Sequence, residues 1–196
     1  MSSSKHDAPA SGRVKIYQIS YIPAEYRETP NVNDTTSLVY FLTWTTYGTW
    51  LPGDERGWVK WHGGFQQPSE PLRKYSTAKM SEAAITLDQQ QRELVDATIR
   101  RHCEIRQWFL HALNVRTNHV HVVVTAVGYS PEMVVEQFKA WCTRYLKAPL
   151  VNHHAHLAKI RQHWWTEGFS RRLIFRESDL AATIEYVLDA QDRPRS

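Results

Sequence analysis

Two apolar runs joined by a short polar connection constrain the fold of this chain more than any other sequence feature. The runs cover residues 108–115 and 119–127, and Arg116-Thr117-Asn118 separates them. Apolar runs of this length favour strands, and a three-residue polar connection between them favours a β-hairpin. The sequence therefore predicts an antiparallel sheet in which these two segments are neighbours.

Six further segments carry the periodicity or the end signals of strands and helices. The predicted strands cover residues 38–46, 163–166 and 173–176, and the predicted helices cover residues 86–101, 131–149 and 180–190. The second of these helices has Ser130 as its predicted cap and Pro149 as its predicted end. The third has Ser178-Asp179 as its predicted cap.

The order of these segments is strand, helix, strand, strand, helix, strand pair and helix. Its first six elements match a split β-α-β arrangement, in which an antiparallel sheet carries helices on one face. The sequence therefore predicts an α+β protein with a ferredoxin-like sheet and an additional C-terminal helix. This fold hosts many functions, so the fold alone does not identify the function of the chain, and the residues of the site have to do so.

Composition divides the chain into a tail and one domain. Residues 1–30 are polar and predict a flexible tail, and residues 31–196 have the length of a single domain. Residues 51–80 are rich in glycine, proline and charge, which predicts a long inserted loop of the kind that is usually functional. Neither an export signal nor a run of about 20 apolar residues is present, so a cytoplasmic protein without a membrane anchor is expected.

The positive charge of the chain is concentrated near its C-terminal end. The net charge is +4, and residues 159–176 alone contain five basic residues and one acidic residue. Trp164, Trp165 and Phe169 lie among these charges. Basic residues interleaved with aromatic ones suit a phosphate backbone with unstacked bases. A solvated strand edge with core tryptophans is the alternative interpretation.

The pair His119 and His121 is the sharpest chemical signal in the sequence. Residues two apart in a strand point to the same face, so both imidazoles can bind one divalent metal ion. Imidazole nitrogen suits Mn²⁺, and Mg²⁺ is tolerated when oxygen ligands complete the shell. The alternative is chance, since a second H-x-H pair, His154 and His156, occurs in a polar connector.

Tyr186 is the second candidate functional residue. Leu180, Ile184, Val187 and Leu188 form the predicted apolar stripe of the last helix, and Tyr186 lies about 100° from Val187 at helical pitch. The tyrosine could therefore border a cleft on the sheet. A packing tyrosine with its hydroxyl group in water is the alternative.

Taken together, these segments resemble the single-tyrosine HUH transposases, and among them the REP-associated tyrosine transposases. The blocks that carry the resemblance are VYFLTWTTYGTWLPGDERGWV at 39–59, NHVHVVV at 118–124, FKAW at 138–141, residues 165–174, and EYV at 185–187. They are spread over nearly the whole chain after the predicted tail. Their order and spacing are more specific than an H-x-H pair alone.

The resemblance implies a mechanism and a role for each candidate residue. His119 and His121 would hold Mg²⁺ or Mn²⁺, and Tyr186 would attack a phosphate of single-stranded DNA to form a 5′-phosphotyrosine. Relatives have a metal-binding Gln or Asn four residues after the tyrosine, but this sequence has Ala190 there. Asp189 or Gln191 would have to supply the third ligand, with Asp189 slightly favoured.

The resemblance also implies single-stranded DNA beside a folded hairpin as the substrate, and therefore an association with the nucleoid. The long loop is one candidate for contacting this DNA. The candidate side chains for DNA binding are Arg161, Arg171, Arg172, Arg176, Lys139 and Trp165. The resemblance leaves open whether the chain acts alone or as a homodimer.

Two rival interpretations belong to other functional classes. A non-catalytic, hairpin-binding module on the same fold would use the same basic and aromatic residues without needing His119, His121 or Tyr186. A phosphoesterase with two facing H-x-T/S motifs is the other. It is weak, because the nearest second motif, His111-Ala112-Leu113, lacks the hydroxyl residue.

Overall fold

The computed structural model describes residues 39–60, 64–152 and 161–189. The predicted tail, the pair His154 and His156, and Gln191 lie outside these residues. The elements in chain order are β1 (Val39–Thr45), β2 (Trp58–Lys60), β3 (Gly64–Gln66), α1 (Glu70–Ala78), α2 (Gln89–Arg106), β4 (Phe109–Val115), β5 (His119–Thr125), α3 (Pro131–Asn152), β6 (Ser170–Ile174) and α4 (Glu177–Leu188).

The main sheet has four antiparallel strands in the order β4-β5-β1-β6. β4 and β5 are the predicted hairpin, and β1 lies between β5 and β6, with Thr43 opposite His121 and Phe41 opposite Arg172. Helices α2 and α3 are the connections on either side of this hairpin. The predicted α+β fold with a split β-α-β sheet is therefore confirmed.

Side-chain alternation along β1 separates two hydrophobic cores. Tyr40, Leu42 and Trp44 point into the larger core, which also contains the buried faces of α2 and α3. Phe41 points to the opposite face of the sheet, where Val123 of β5 and the buried side of α4 form a smaller core. The tyrosine helix therefore packs on the face that α2 and α3 leave uncovered.

Helix α2 shows how local sequence sets an element boundary. Asp88 accepts the backbone N–H of Gln91, and the Gln91 side chain accepts the backbone N–H of Asp88, which completes a capping box. The helix therefore starts at Gln89, three residues later than predicted. It ends at Arg106 and is capped by Gln107, which has a left-handed φ of 58°.

The predicted loop 51–80 contains regular structure, and this corrects the sequence-based expectation. The strands β2 and β3 form a two-stranded hairpin, and α1 follows it. In strands of three residues, apolar and polar residues alternate over too short a distance to be recognised in the sequence. Proline in the first turn of α1 is compatible with a helix start, because the first amides have no intrahelical acceptor.

The boundaries near the C-terminal half of the chain also differ from prediction. Helix α3 continues past Pro149 to Asn152, since a proline in the last turn removes only one hydrogen bond of the helix. Residues 163–166 form no strand and contribute a single bridge between Thr46 and Trp165. Strand β6 covers Ser170–Ile174 rather than 173–176.

The cap of the last helix and the buried face of α3 require two further corrections. Arg176, rather than Ser178-Asp179, occupies the cap position of α4. The spacing of apolar residues in α3 predicts a buried face of Val134, Phe138, Trp141 and Tyr145. In the structure Trp141 and Tyr145 are exposed, and the buried positions are Val134, Val135, Phe138, Cys142 and Leu146. Within the described residues, no helix is long and apolar enough to cross a bilayer.

Candidate active site

The two histidines of the H-x-H pair lie side by side at one end of the sheet. Both belong to β5 and point to the face that α4 covers, and their ring centroids are 4.6 Å apart. His121 is buried and His119 is partly exposed. The structure therefore brings together the two side chains that the sequence predicts as metal ligands.

Polar neighbours fix the orientation of both imidazole rings. His119 Nδ1 lies 2.7 Å from Asn118 Oδ1, and His121 Nδ1 lies 2.7 Å from Thr43 Oγ1. The amide oxygen of Asn118 can only accept, so His119 Nδ1 carries the proton of that hydrogen bond. A metal ion held by this pair would therefore be bound through Nε2, with the ring orientation set from the other side.

Tyr186 of α4 lies next to His121. The two ring centroids are 6.1 Å apart, and Phe41 of β1 contacts both rings at 6.1 Å from Tyr186 and 5.6 Å from His121. Tyr186 is 45% exposed, so its side chain reaches solvent beside the histidine pair. The structure therefore brings the candidate nucleophile and the candidate metal ligands to one site.

Helix α4 is held on the sheet by a small apolar interface and by polar contacts. Ile184 and Val187 are buried against the second core. Asn114 of β4 donates from Nδ2 to the carbonyl oxygen of Val187 at 2.7 Å. This contact lies one residue from Tyr186 and anchors the end of the helix that carries the tyrosine.

Arg171 and Arg172 do not form the single basic patch that their adjacency predicts. Strand alternation sends Arg172 to the α4 face, where its guanidinium lies 5.6 Å from the Phe41 ring centroid and donates to Thr183 Oγ1. Arg171 points to the other face and forms an ion pair with Glu132 of α3. Of these two arginines, Arg172 is therefore the one that lies next to the candidate active site.

Lys139 and Trp165, both predicted to bind DNA, are used inside the protein. Lys139 Nζ donates to the carbonyl oxygens of residues 166–168 at 2.6 to 3.1 Å, and burial lowers its pKa to about 8. Trp165 is only 9% exposed, and its Nε1 donates to Thr143 Oγ1. The core interpretation of this tryptophan is therefore the correct one, and its ring offers no face to a base.

Arg161 is likewise engaged in internal contacts. It donates to the carbonyl oxygens of Ala83 and His163, and it lies 3.5 Å from the Glu82 carboxylate. Backbone N–H groups of residues 162 and 163, together with the Arg161 charge, hold the pKa of Glu82 below its usual value. These contacts join the segment before α2 to the segment before β6.

The remaining predicted residues lie at the two ends of α4. Arg176 is exposed at its start and accepts the N–H of Leu180 through its carbonyl oxygen. Asp189 directly follows the helix, has an exposed side chain and donates its N–H to the Glu185 carbonyl oxygen at 2.8 Å.

The donor set fits a divalent metal ion in part. Two imidazoles on one face match the nitrogen ligands that Mn²⁺ and related ions accept. Within the described ranges, no cluster of three or more His, Cys, Asp or Glu side chains has the spacing of a metal site. His119 and His121 could therefore supply two ligands, and the others would have to come from the substrate, water or the end of α4.

Sequence reasoning did not identify four residues that shape this site. Phe41 and Thr43 lie on β1, and Asn114 and Asn118 lie on β4 and before β5. Phe41 and Thr43 have a readable signal, since odd-numbered positions of β1 must share a face. Asn114 has no such signal, because its partner is a carbonyl oxygen more than 70 residues away in sequence.

The family of the chain follows from its sequence pattern. Residues 78–189, more than half of the chain, match the model of a family described as transposase, IS200-like. The matched segment includes His119, His121 and Tyr186. The chain belongs to the IS200-like transposase family.

Similar solved structures include two transposase-related proteins. One is a REP-associated tyrosine transposase bound to a REP hairpin (14% identity, TM-score 0.43, covering 82% of this chain and 70% of that one). Another is a candidate transposase from Deinococcus radiodurans R1 (16% identity, TM-score 0.35, covering 76% of this chain and 88% of that one). At these scores neither informs on the chemistry of this chain. No curated protein sequence matches it.

Proposed function

We propose that this transposase cuts and rejoins single-stranded DNA beside a hairpin through a covalent 5′-phosphotyrosine at Tyr186. The observation that carries the proposal is the adjacency of Tyr186 to His121, with ring centroids 6.1 Å apart, and of His121 to His119 at 4.6 Å. A tyrosine and an imidazole pair that meet on one face of the sheet are groups that suit metal-assisted phosphoryl transfer to tyrosine.

The reaction balances without a nucleotide cofactor. The Tyr186 oxygen bonds to phosphorus and its proton passes to solvent, to which the side chain is exposed. The bond from phosphorus to the 3′ oxygen breaks, and that oxygen takes a proton to become a free 3′-hydroxyl group. A 3′-hydroxyl from another strand reverses the step and joins the DNA.

His119 and His121 would hold the divalent metal ion, Mg²⁺ or Mn²⁺. When bound, such an ion polarises the scissile phosphate and offsets its developing charge. Asn118 and Thr43 would orient the two rings for this role through their contacts with Nδ1. Asp189 is the favoured third ligand over Gln191, because it lies about 60° from Tyr186 at helical pitch.

The proposed substrate is single-stranded DNA flanking a hairpin, as in the REP-associated branch of the family. Arg172 next to Phe41 is the proposed phosphate contact closest to Tyr186, because both Arg172 and Tyr186 touch the Phe41 ring. Arg176, exposed at the start of α4, is the second. Guanidinium groups suit phosphate through paired, charge-assisted hydrogen bonds.

A hairpin-binding module without cleavage activity is the second candidate. It is favoured by one observation: the described residues contain no group of three or more His, Cys, Asp or Glu side chains that could hold a metal ion. In this alternative, hairpin affinity would not depend on His119, His121 or Tyr186.

The polarity of cleavage tests the proposal. Hairpin oligonucleotides from the flanks of the gene, labelled at either end, are incubated with protein and Mn²⁺ or Mg²⁺. A 5′-phosphotyrosine predicts that the 3′ label migrates with the protein on a denaturing gel, while the 5′ label appears on a shorter free strand. Tight binding with intact oligonucleotides would instead establish the non-catalytic module.

A further inference from the structure

Trp50 and Arg56 form an exposed, rigid pair of planar groups in the segment that follows β1. The Trp50 Nε1 group donates to the Gly57 carbonyl oxygen at 2.7 Å, and the Arg56 guanidinium lies 5.6 Å from the Trp50 ring centroid. Trp50 is nevertheless 39% exposed and the Arg56 side chain is 53% exposed. We call this pair the Trp50–Arg56 platform.

The Arg56 side chain of the platform is held at three points. Its Nε and Nη2 donate to the two carboxylate oxygens of Asp54 at 2.7 and 3.0 Å, and Nη2 also donates to the Thr49 carbonyl oxygen at 2.9 Å. The hydrogen bond from Arg56 holds the pKa of the buried Asp54 below its usual value. Both planes are therefore fixed before any ligand arrives, which reduces the entropy cost of binding.

A second exposed aromatic ring meets the platform at Gly57. The Phe65 ring lies so close to the Gly57 Cα that an added Cβ would be 2.2 Å from it, and Gly57 has a φ of 79°. Phe65 is largely exposed. Trp50 and Phe65 therefore approach the same glycine, one through its carbonyl oxygen and one through its Cα.

The platform is attached to the end of the sheet that carries the histidine pair. Thr46 N–H and the Thr49 hydroxyl both donate to the Asn118 carbonyl oxygen, at 2.9 and 3.3 Å. The side chain of Asn118 contacts His119 Nδ1. The segment that carries the platform is therefore hydrogen-bonded to the residue next to His119, at the end of the sheet where the proposed cleaved phosphate would lie.

Helix α1 gives the surroundings of the platform a positive charge. It packs on Gly53, where the helix backbone leaves no room for a Cβ. Arg73 and Lys74 lie on α1, where Arg73 is 3.9 Å from Glu55 and Lys74 is 2.8 Å from Glu70, and Lys79 follows the helix. The small excess of positive charge that remains complements a phosphate backbone.

We propose that the Trp50–Arg56 platform stacks an unpaired base of the DNA strand that flanks the cleaved phosphate. The inference rests on the proposed function, since it takes the strand at the histidine pair as given. The ion pair of Asp54 and Arg56 would by itself make this turn rigid. Rigidity therefore does not explain why the Trp50 ring is partly exposed beside it. Exposed aromatic and guanidinium planes are the groups on which unpaired bases stack.

Fluorescence of 2-aminopurine tests the platform. The probe replaces single unpaired bases beside the hairpin, and the emission of each oligonucleotide is measured with wild-type protein, Trp50→Ala and Trp50→Phe. Stacking predicts quenching at one or two positions with the wild type and with Phe, and its loss with Ala. Affinity for the flanked hairpin should fall about fivefold to a hundredfold in Trp50→Ala, with affinity for an unflanked hairpin unchanged.

Trp141 provides a matched control for this experiment. It is 37% exposed and has Arg144 5.4 Å from its ring centroid, but it lies on α3, behind the other face of the sheet. Trp141→Ala should retain the wild-type quenching pattern. Equal losses in the two Ala variants, or unchanged quenching in Trp50→Ala, would overturn the platform.

The result of the 2-aminopurine experiment can be separated from the result of the cleavage experiment. A covalent adduct in the wild type together with no effect of Trp50 would disprove the platform and leave strand transfer standing. Trp50-dependent stacking without any adduct would support the platform and disprove strand transfer.

Discussion

At the scale of single residues, the two histidines depend on neighbours that the H-x-H spacing does not reveal. Thr43 lies opposite His121 in the sheet register and contacts its Nδ1 at 2.7 Å. Partners of this kind fix ring orientation and raise the basicity of the ligating nitrogen. The pair alone would bind a metal ion less tightly.

Thr43→Val is therefore expected to weaken metal binding about 10- to 100-fold without unfolding the protein. Isothermal titration with Mn²⁺ measures this loss. Thr45→Val is the matched control, because Thr45 lies on the same strand face but bonds to Thr166. Unchanged affinity in Thr43→Val, with binding abolished in His121→Ala, would contradict an orienting role for Thr43.

Lys139 is expected to make stability depend on pH above neutrality. Burial lowers its pKa from 10.5 to about 8, so between these values the unfolded chain binds a proton that the native state has released. This group therefore makes the free energy of unfolding rise as pH increases from about 8 to about 10.5, and adds no slope below that window.

Denaturant titrations of wild-type protein and Lys139→Met across this pH range isolate the contribution. Lys147→Met is the control, because Lys147 bonds to Gln162 at the surface. A difference between wild type and Lys139→Met that stays constant over the pH range would contradict the assignment.

At the scale of elements, the placement of α4 decides whether Tyr186 meets the histidines. Its apolar interface is small, and the Asn114 side chain secures the carbonyl oxygen of Val187. Asn114→Asp keeps the size of the side chain but removes the donor. We expect a loss of about 1–2 kcal/mol in local stability of α4 and a slower cleavage step.

Hydrogen exchange of α4 and single-turnover cleavage measure these two effects of Asn114→Asp. Hairpin affinity should stay at the wild-type value, because Asn114 lies between β4 and α4 and is not proposed to contact DNA. Unchanged exchange rates in α4 would refute the anchoring role.

The elements with strong periodicity were predictable from sequence, and those set by distant contacts were not. β1, β4 and β5 follow from apolar runs, and α2 follows from the helical spacing of its apolar residues, although its capping box at Asp88 was not recognised. Residues 163–166 were predicted as a strand because the segment is short and partly apolar. In the structure Trp165 forms only a single bridge to Thr46, which depends on packing at the end of the sheet. Helix α3 passes Pro149 because a proline near a helix end removes little hydrogen bonding.

At the scale of the whole molecule, several of the basic and aromatic residues predicted to bind DNA hold parts of the chain together instead. Arg161, Lys139 and Trp165 make internal contacts, whereas Arg172 and Arg176 lie beside or at the start of the tyrosine helix. Composition predicted the basic character of this region correctly. It could not separate the two roles, because burial depends on segments more than 70 residues apart.

Arg161→Ala and Arg176→Ala are expected to affect different properties of the protein, stability in the first and hairpin binding in the second. Loss of Arg161 removes its hydrogen bonds to the carbonyl oxygens of Ala83 and His163, which costs about 0.5–1.5 kcal/mol of stability. Loss of Arg176 should weaken hairpin binding and reduce its salt dependence, with stability unchanged. Thermal melting and anisotropy titrations at several salt concentrations measure both. The reverse pattern would return Arg161 to the DNA-binding surface.

The covalent intermediate is the central claim, and trapping it is the most direct measurement. Wild-type protein, Tyr186→Phe and Tyr145→Phe are mixed with flanking hairpin oligonucleotides, with and without divalent metal, and run on a denaturing gel. Tyr145 is a matched control, since it is 46% exposed against 45% for Tyr186 but lies on α3. The proposed mechanism predicts a metal-dependent adduct with wild type and Tyr145→Phe, and none with Tyr186→Phe. An adduct that persists in Tyr186→Phe would contradict it.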